Sequence, residues 1–525
     1  MERQNKLILA VAIILFIALS QYIIFEVDRE NWFDASFSLE TAHMLNTNGF
    51  SSIDFREHDV HPPLSYYALA SWQNLRPYHT VNVGEVYQPA PSYYISEYHW
   101  GQQMSVLFGL AFLVFAFIGL TKFFGNDAVW GMVPLVLGST YLHFATEVRM
   151  YIIVLSLSAL IFAAIAHKFH KGWKYAGLFA ILILPMIHYL AALVPIVMAL
   201  LYWVWAKDEP DRNLNVWLMG IAWIAGILVA LNFAIPQRFC TEGTWFQSPT
   251  ISSWMSAAYY SIFMGDVFAS KITRLIQWIF TMFEVLIWCL IGGFSYRLFK
   301  HKKLLPFFKN RSDMILLLMI LTAVLPLFAL SFLAIGKQLL GGGAFWNLYH
   351  HRFFLSVTWL FASGLFIFGA IYLKKFNKYV GRSVLVVVIL LFAVMLQGYA
   401  GGVHHELRNT MDATPCPTNS TIWIVHESPF SSLPYAVYQR EKKCNWQHAI
   451  VTRMSDKMSH SAGFDAIGDQ RVYWDGEVPL HEFYYVQSGA QVVNITDREY
   501  EIVHSETGIN LVHVMSNMYI EVVFK

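Results

Sequence analysis

Three short stretches of this chain set titratable side chains against long apolar runs. The first is Glu26 to Tyr67, the first polar segment after the apolar run Leu7–Phe25. It places Asp34 just past the run. A loop dense in Asp54, Arg56, Glu57, His58, Asp59 and His61 follows, closed by Pro62-Pro63. The second is HFATEVRMYIIVL, residues 143–155, with Glu147, Arg149 and Tyr151 in alternation between two apolar runs. The third is NLYHHRFFL, residues 347–355, where His350, His351 and Arg352 precede another run. His188 stands alone between two more. A carboxylate held at a membrane surface is an expensive arrangement unless it has work to do, and taking a proton as a general base is such work. A guanidinium at a membrane boundary suits bidentate recognition of phosphate. Glu57, His58, Asp59 and His61 also have the residue types of a divalent-metal site, at a spacing that matches no fixed site type.

Each of these residues has a plainer reading as well. Asp34 is a favoured N-cap for a helix over Ala35–Leu45. Glu147 and Arg149 make a structural ion pair, or Arg149 and Arg352 are interfacial anchors whose heads snorkel to water. His61 is an uncommitted loop histidine, and His188 satisfies a buried helix end. Glu284, inside an apolar run, is a candidate by type alone.

The elements that must position these residues are set by composition. A chain of 525 residues with 56% hydrophobic and 14% charged residues is not an ordinary soluble protein. Its net charge of +1 gives no reason to expect a nucleic-acid partner. Apolar runs of bilayer-crossing length recur, with spans expected near 7–25, 101–121, 127–145, 149–167, 174–187, 189–206, 214–234, 272–296, 313–334, 353–373 and 384–401, about eleven in all. The fifth and sixth meet at Ile187-His188-Tyr189, as one long helix or a tight hairpin. The clustered basic residues fall in HKFHKGWK, AKDEPDRN, KHKKLLPFFKNRSD and KKFNKYVGR, which places the N-terminus and these loops inside. The first loop (residues 26–100), the turn at 145–149, His188, residues 236–271 and KQLLGGGAFWNLYHHR then share the outer side. The expected protein is multi-pass, in the plasma membrane with an outward site or in the endoplasmic reticulum with a lumenal one. The first run is too long for a signal core and lacks a small-residue cleavage site.

Residues 404–525 differ. Apolar runs shorten to strand length: TIWIVH, HAIVTRM, EFYYVQ, AQVVNIT, INLVHVM and YIEVVF. Tyr473-Trp474-Asp475-Gly476 reads as a turn. The fold class is therefore a mainly α, polytopic transmembrane bundle over residues 1–403, with a small α/β or mixed-β extracytoplasmic domain over residues 404–525. Cys416 and Cys444 of the four cysteines fall in that tail, paired or as two unpaired small residues. Asn419 and Asn494 open sequons there.

An Asp just after the first span, a short helix and then His61-Pro62-Pro63-Leu64 together resemble the first extracytoplasmic loop of the GT-C glycosyltransferases. The resemblance is greatest to the protein O-mannosyltransferase and lipid A aminoarabinose transferase branch, and it covers about residues 7–370. Arg149-x-Tyr151 is similar to an Arg-x-Tyr signature of that family, and Arg352-Phe353 stands where members often carry Arg-Tyr. The branch usually has Glu after the Asp; here Ala35 follows Asp34. The resemblance implies inverting transfer of a hexose or pentose, mannose among them, from a polyprenyl (including dolichyl) phosphate donor to an acceptor hydroxyl on a glycan, lipid or protein. It implies Asp34 as the catalytic base and donor-phosphate contacts from Arg149, Tyr151 and Arg352, with His61 of the HPPL motif as a further substrate contact; Glu147, His188 and His351 are candidate substrate contacts by their place on the outer side. A divalent metal is a possible addition rather than a requirement. Two other classes share these features: a transporter or flippase of lipid-linked sugars, and a non-catalytic scaffold of the same fold, which Ala35 favours. The sequence lacks the paired Gly/Pro-broken halves a transporter would show.

Overall fold

A computed structural model describes residues 2–27, 33–51, 53, 55, 62–76, 97–170, 172–237, 310–322 and 355–376, with eight strands in the C-terminal part. For those strands and for a few residues at helix ends, Asp34 among them, the description is of the backbone. The apolar runs form helices. They are α1 (Glu2–Tyr22), α4 (Glu97–Phe124), α5 (Ala128–Leu137), α6 (Ser139–Thr146), α7 (Tyr151–Ala166), α8 (Gly172–Ile187), α9 (Val194–Trp205), α10 (Arg212–Gln237), α11 (Arg311–Leu321) and α12 (Leu355–Phe376). Between α1 and α4 lie α2 (Phe33–Asn48) and α3 (Leu64–Gln73).

Among the described residues, Asn5–Phe25, Glu97–Leu137 and Arg212–Phe233 are long and apolar enough to cross a membrane. Tyr151–Ala166, Gly172–Ile187, Ala191–Trp205 and Leu355–Ile371 are shorter apolar helices. The expected spans near 272–296 and 384–401 lie outside the described residues. The expected single span 127–145 is two helices, because Gly138 is extended (φ −69°, ψ 124°) and ends α5. The expected junction at His188 is a real break. Pro185 near the end of α8 and Pro195 at the start of α9 each lack an N–H for a continuous ladder. His188 is extended between them, and a 3-10 turn, Tyr189–Leu193, follows.

Helices in a bilayer gain little from hiding apolar surface from one another, so close approach and buried polar ties matter more. The pair α4–α7 meets at Gly119, where an added Cβ would stand 2.4 Å from the Phe162 ring. The pair α8–α10 meets at Gly226, where a Cβ would stand 2.2 Å from the Leu182 carbonyl oxygen. Ser158 of α7 donates to the Ser356 carbonyl at 2.6 Å and accepts from the Trp359 indole at 3.0 Å, fastening α12 to the bundle. At α1, Gln21 and Gln103 exchange amide hydrogen bonds of 2.9 and 3.1 Å.

The helices α2 and α3 pack on each other and on this bundle. The buried set Ser65, Tyr66, Leu69, Ala70 and Gln73 of α3 follows the helical period and forms one stripe. Trp72 and Trp100 stack at 4.7 Å and each indole donates to the other's carbonyl, at 2.7 and 2.9 Å. That exchange fixes α3 across the top of α4. In α2 the pattern is different: residues 35–39 are all buried, so its first turns are enclosed on every side.

The ends of α7, α8 and α9 distinguish two poles. One pole carries Tyr151, His188 and Val194. At the other, about 24 Å along α7 by helical rise, Lys168 lies 2.5 Å from Glu209, Arg311 binds Asp208, and the Trp205 indole donates to the Ala166 carbonyl at 3.1 Å. These pairs hold both carboxyls below their ordinary range, each chiefly through the hydrogen bond from its basic partner.

In the C-terminal part the six expected strand runs all contain strands. They are β1 (Thr421–His426), β2 (Gln447–Arg453), β4 (Phe483–Tyr485), β5 (Ala490–Ile495), β7 (Gly508–Leu511) and β8 (Met518–Phe524). Two were not expected, β3 (Gln470–Trp474) and β6 (His504–Ser505). Tyr473 and Trp474, expected in a turn, instead close β3. One sheet has the order β3-β2-β1-β8-β5, parallel across β3, β2 and β1 and antiparallel at β8; a second, antiparallel, has the order β4-β7-β6.

Candidate active site

The site is built on the junction between α6 and α7. At residues 147–150 the backbone leaves the helix, and a turn closes with Arg149 N–H on the Glu147 carbonyl at 2.9 Å. Carbonyls freed at a helix end need partners, and buried ones need them from the protein. Two side chains of α4 supply them. Gln102 donates to the Thr146 carbonyl and Ser105 to the Glu147 carbonyl, both at 2.7 Å. Gly101 makes the notch beside them: a Cβ there would meet Val148 at 3.0 Å. The junction is thus pinned by α4.

Arg149 is 5% exposed. That burial removes the snorkelling reading, since a snorkelling head lies in water. Its Nη1 donates to Ser38 Oγ on α2 at 3.2 Å, and its guanidinium carbon stands 6.0 Å from the Tyr151 ring centroid. Tyr151 in turn meets His188 at 5.6 Å between ring centroids and Phe144 at 5.1 Å. Glu147 Oε2 lies 3.0 Å from His143 Nε2, one helical turn back. Four of the expected residues, Glu147, Arg149, Tyr151 and His188, therefore form one buried cluster.

The backbone of α2 places the Asp34 position near that cluster. Ser38 follows it by four residues, so the two positions lie one above the other on one face of α2, with Cβ atoms about 6 Å apart. The helix starts at Phe33, which puts Asp34 inside the first turn rather than at the cap before Ala35. There the unpaired N–H groups and the positive end of the dipole still favour a carboxylate. The guanidinium of Arg149 is thus bound one turn from Asp34, on the same face.

His61, His351 and Arg352 lie outside the described residues, as do the metal candidates Glu57, His58 and Asp59 and the intramembrane Glu284. Among the described residues no three His, Cys, Asp or Glu stand together as a metal site. Sequence reasoning missed Ser38 and His143. The signal for His143 was present in the four-residue spacing His143-x-x-x-Glu147. No local signal marks Ser38, because its partner is distant in sequence.

No family model and no curated protein matches the chain. Among solved structures it is similar to ArnT from Cupriavidus metallidurans in the apo state, at 11% identity, TM-score 0.49 and 97% coverage of both chains. The same protein bound to undecaprenyl phosphate gives 12% identity and TM-score 0.48, covering 98% of this chain and 97% of that one. The Archaeoglobus fulgidus oligosaccharyltransferase in its apo form gives 12% identity and TM-score 0.43, covering 78% of this chain and 58% of that one. At these distances the similarity carries no assignment of activity.

Proposed function

We propose that the chain is a membrane glycosyltransferase of the GT-C type. It takes a sugar from a polyprenyl-phosphate donor and passes it, with inversion, to an acceptor hydroxyl on the extracytoplasmic side. The observation that carries this reading is the Arg149–Ser38 bond. It fixes a cation suited to phosphate one turn from the carboxylate position at Asp34, in a buried setting.

The chemistry needs both groups close together. The sugar's anomeric carbon is already activated by its phosphate, so a carboxylate is basic enough to take the acceptor's proton. The phosphate departs as an anion, and a preorganised guanidinium counts for more as the bond breaks. Arg149 does this in our reading, with Tyr151, His188 and Glu147 lining its surroundings. Arg352 and His351, just before α12, are assigned as a second phosphate clamp, and His61 as a further substrate contact. A divalent metal, if one takes part, has Glu57, His58, Asp59 and His61 as its candidate ligands. The location of the Lys168–Glu209 and Arg311–Asp208 pairs at the opposite pole supports an outward-facing site under the positive-inside rule.

The test is donor kinetics in purified Arg149 variants with a short-chain polyprenyl-phosphate sugar. Arg149→Lys keeps the charge and loses the paired donors, so donor use should weaken. Arg149→Ala should be worse, by about 1.5–3 kcal/mol for a charged hydrogen bond. Wild-type kinetics in the Lys variant would remove Arg149 from the phosphate site.

A further inference from the structure

We propose that His143 and Glu147 form a proton-holding pair, so that binding of a lipid-linked phosphate beside Arg149 is accompanied by uptake of one proton at His143. The proposal rests on the phosphate reading above and adds to it a residue the sequence reading did not assign. His143 Nε2 and Glu147 Oε2 are 3.0 Å apart, with side chains 8% and 6% exposed. Phe144 packs its ring against the imidazole at 4.9 Å.

The charged and titratable groups around the pair are few. The junction itself brings Arg149, α7 brings Tyr151, and the break after α8 brings His188. The helix α2 brings Ser38, one turn earlier the Asp34 position, and further along its length Glu40 and His43. The other elements packed on α6 are α1, α4 and α5. They carry no titratable residue over 7–21, 100–121 or 128–137; beyond those stretches stand Glu97, Tyr98, His99 and Lys122 on α4, Glu2, Arg3, Lys6 and Tyr22 on α1, and Asp127 just before α5. Arg149 is therefore the one permanent cation of the cluster among the described residues.

An incoming phosphate adds at least one negative charge to a site that already holds Glu147. Uncompensated buried charge is costly, and a buried group changes protonation rather than bear it. Histidine is the side chain whose ordinary titration falls in the physiological range, and an imidazolium beside a carboxylate is stabilised by it. His143 faces Glu147, whereas His188 faces the Tyr151 ring. The proton comes from solvent, adds to a ring nitrogen and returns when the phosphate leaves; no other bond is made or broken. The phosphate-bound state holds the proton more tightly than the free state. Affinity for phosphate is therefore full at low pH and falls as pH rises through the imidazole's titration, by up to about tenfold per pH unit for one proton.

Calorimetric binding of a short-chain polyprenyl phosphate to the purified full chain, at several values over the range in which histidine titrates, tests this. Wild type, His143→Gln and Glu147→Gln are compared. The probe's own ionisation is common to all three, so differences between the curves report the protein. Affinity of wild type should fall more steeply with pH than that of His143→Gln, and Glu147→Gln should move the fall to lower pH. Should His143→Gln not fold, the Glu147→Gln displacement carries the test. Parallel curves for wild type and His143→Gln, or a Glu147→Gln curve lying on that of wild type, overturn the proton coupling and leave the phosphate reading standing. No binding by wild type at any pH overturns both.

Discussion

At the scale of single residues, a long-range bond ties the site to α2. Ser38 accepts from Arg149 across 111 positions of sequence. Both residues are buried, so water cannot replace the lost partner easily. Ser38→Ala should therefore cost the folded protein about 1.5–3 kcal/mol, the range for hydrogen bonds to charged groups, seen as a lower unfolding temperature, and should weaken donor binding as Arg149 loses its anchor. Donor titration of the purified Ala variant checks this, and unchanged affinity would mean Arg149 is held by other contacts. The types and local order of Glu147, Arg149 and Tyr151 were legible in the sequence because they sit in one short stretch. Their grouping with His188 was legible only as a shared side of the membrane. That Arg149 binds α2 was not legible at all, since apolar periodicity says which face is buried and not against what.

At the scale of elements, the junction after α6 is held from α4 by Gln102 and Ser105, and the helices around it close on glycines. Irregular backbone at membrane depth is tolerated where protein satisfies it, which is what these two side chains do for Thr146 and Glu147. The run 127–145 looked like one span because every residue in it suits a span. The extended Gly138 splits it, and a single extended residue leaves no mark in hydropathy. The helix α10 offers a matched comparison. Gly226 faces the Leu182 carbonyl, while Gly220, less than two turns earlier, has no neighbour within 4 Å of a built Cβ. Gly226→Ala should destabilise by about 1–3 kcal/mol through overpacking. Gly220→Ala should be neutral or stabilise by up to about 1 kcal/mol, the helical difference between the two residues. Thermal unfolding in detergent separates them, and equal shifts would show that the α8–α10 contact is not tight.

At the scale of the whole molecule, apolar runs shorten to strand length after about residue 404, which is why we place a domain boundary there. The six expected strand runs were legible for that reason. The strands β3 and β6 were not: β3 opens on Gln470-Arg471 and runs into a stretch read as a turn, and β6 is two polar residues long. We expect residues 404–525 to fold as a separate domain, since about 120 residues is an ordinary domain size. The fragment, made under oxidising conditions, should give a folded, strand-containing circular dichroism spectrum with a cooperative melt. An unfolded spectrum would mean the segment needs the helical bundle.

The transporter and scaffold readings share the bundle and the buried cation with the transferase. They differ in one event, the breaking of the bond between sugar and phosphate. The direct measurement is release of free polyprenyl phosphate, with matching glycosylation of an acceptor, from a polyprenyl-phosphate sugar incubated with the purified chain. Across a panel of donor sugars and acceptor glycans, lipids and peptides, at least one pair should turn over with wild type. Asp34→Asn should bind the lipid and turn over at a rate lower by about 10²–10⁴, the usual contribution of a general base. Intact donor throughout the panel, or equal release by wild type and Asp34→Asn, would contradict the account.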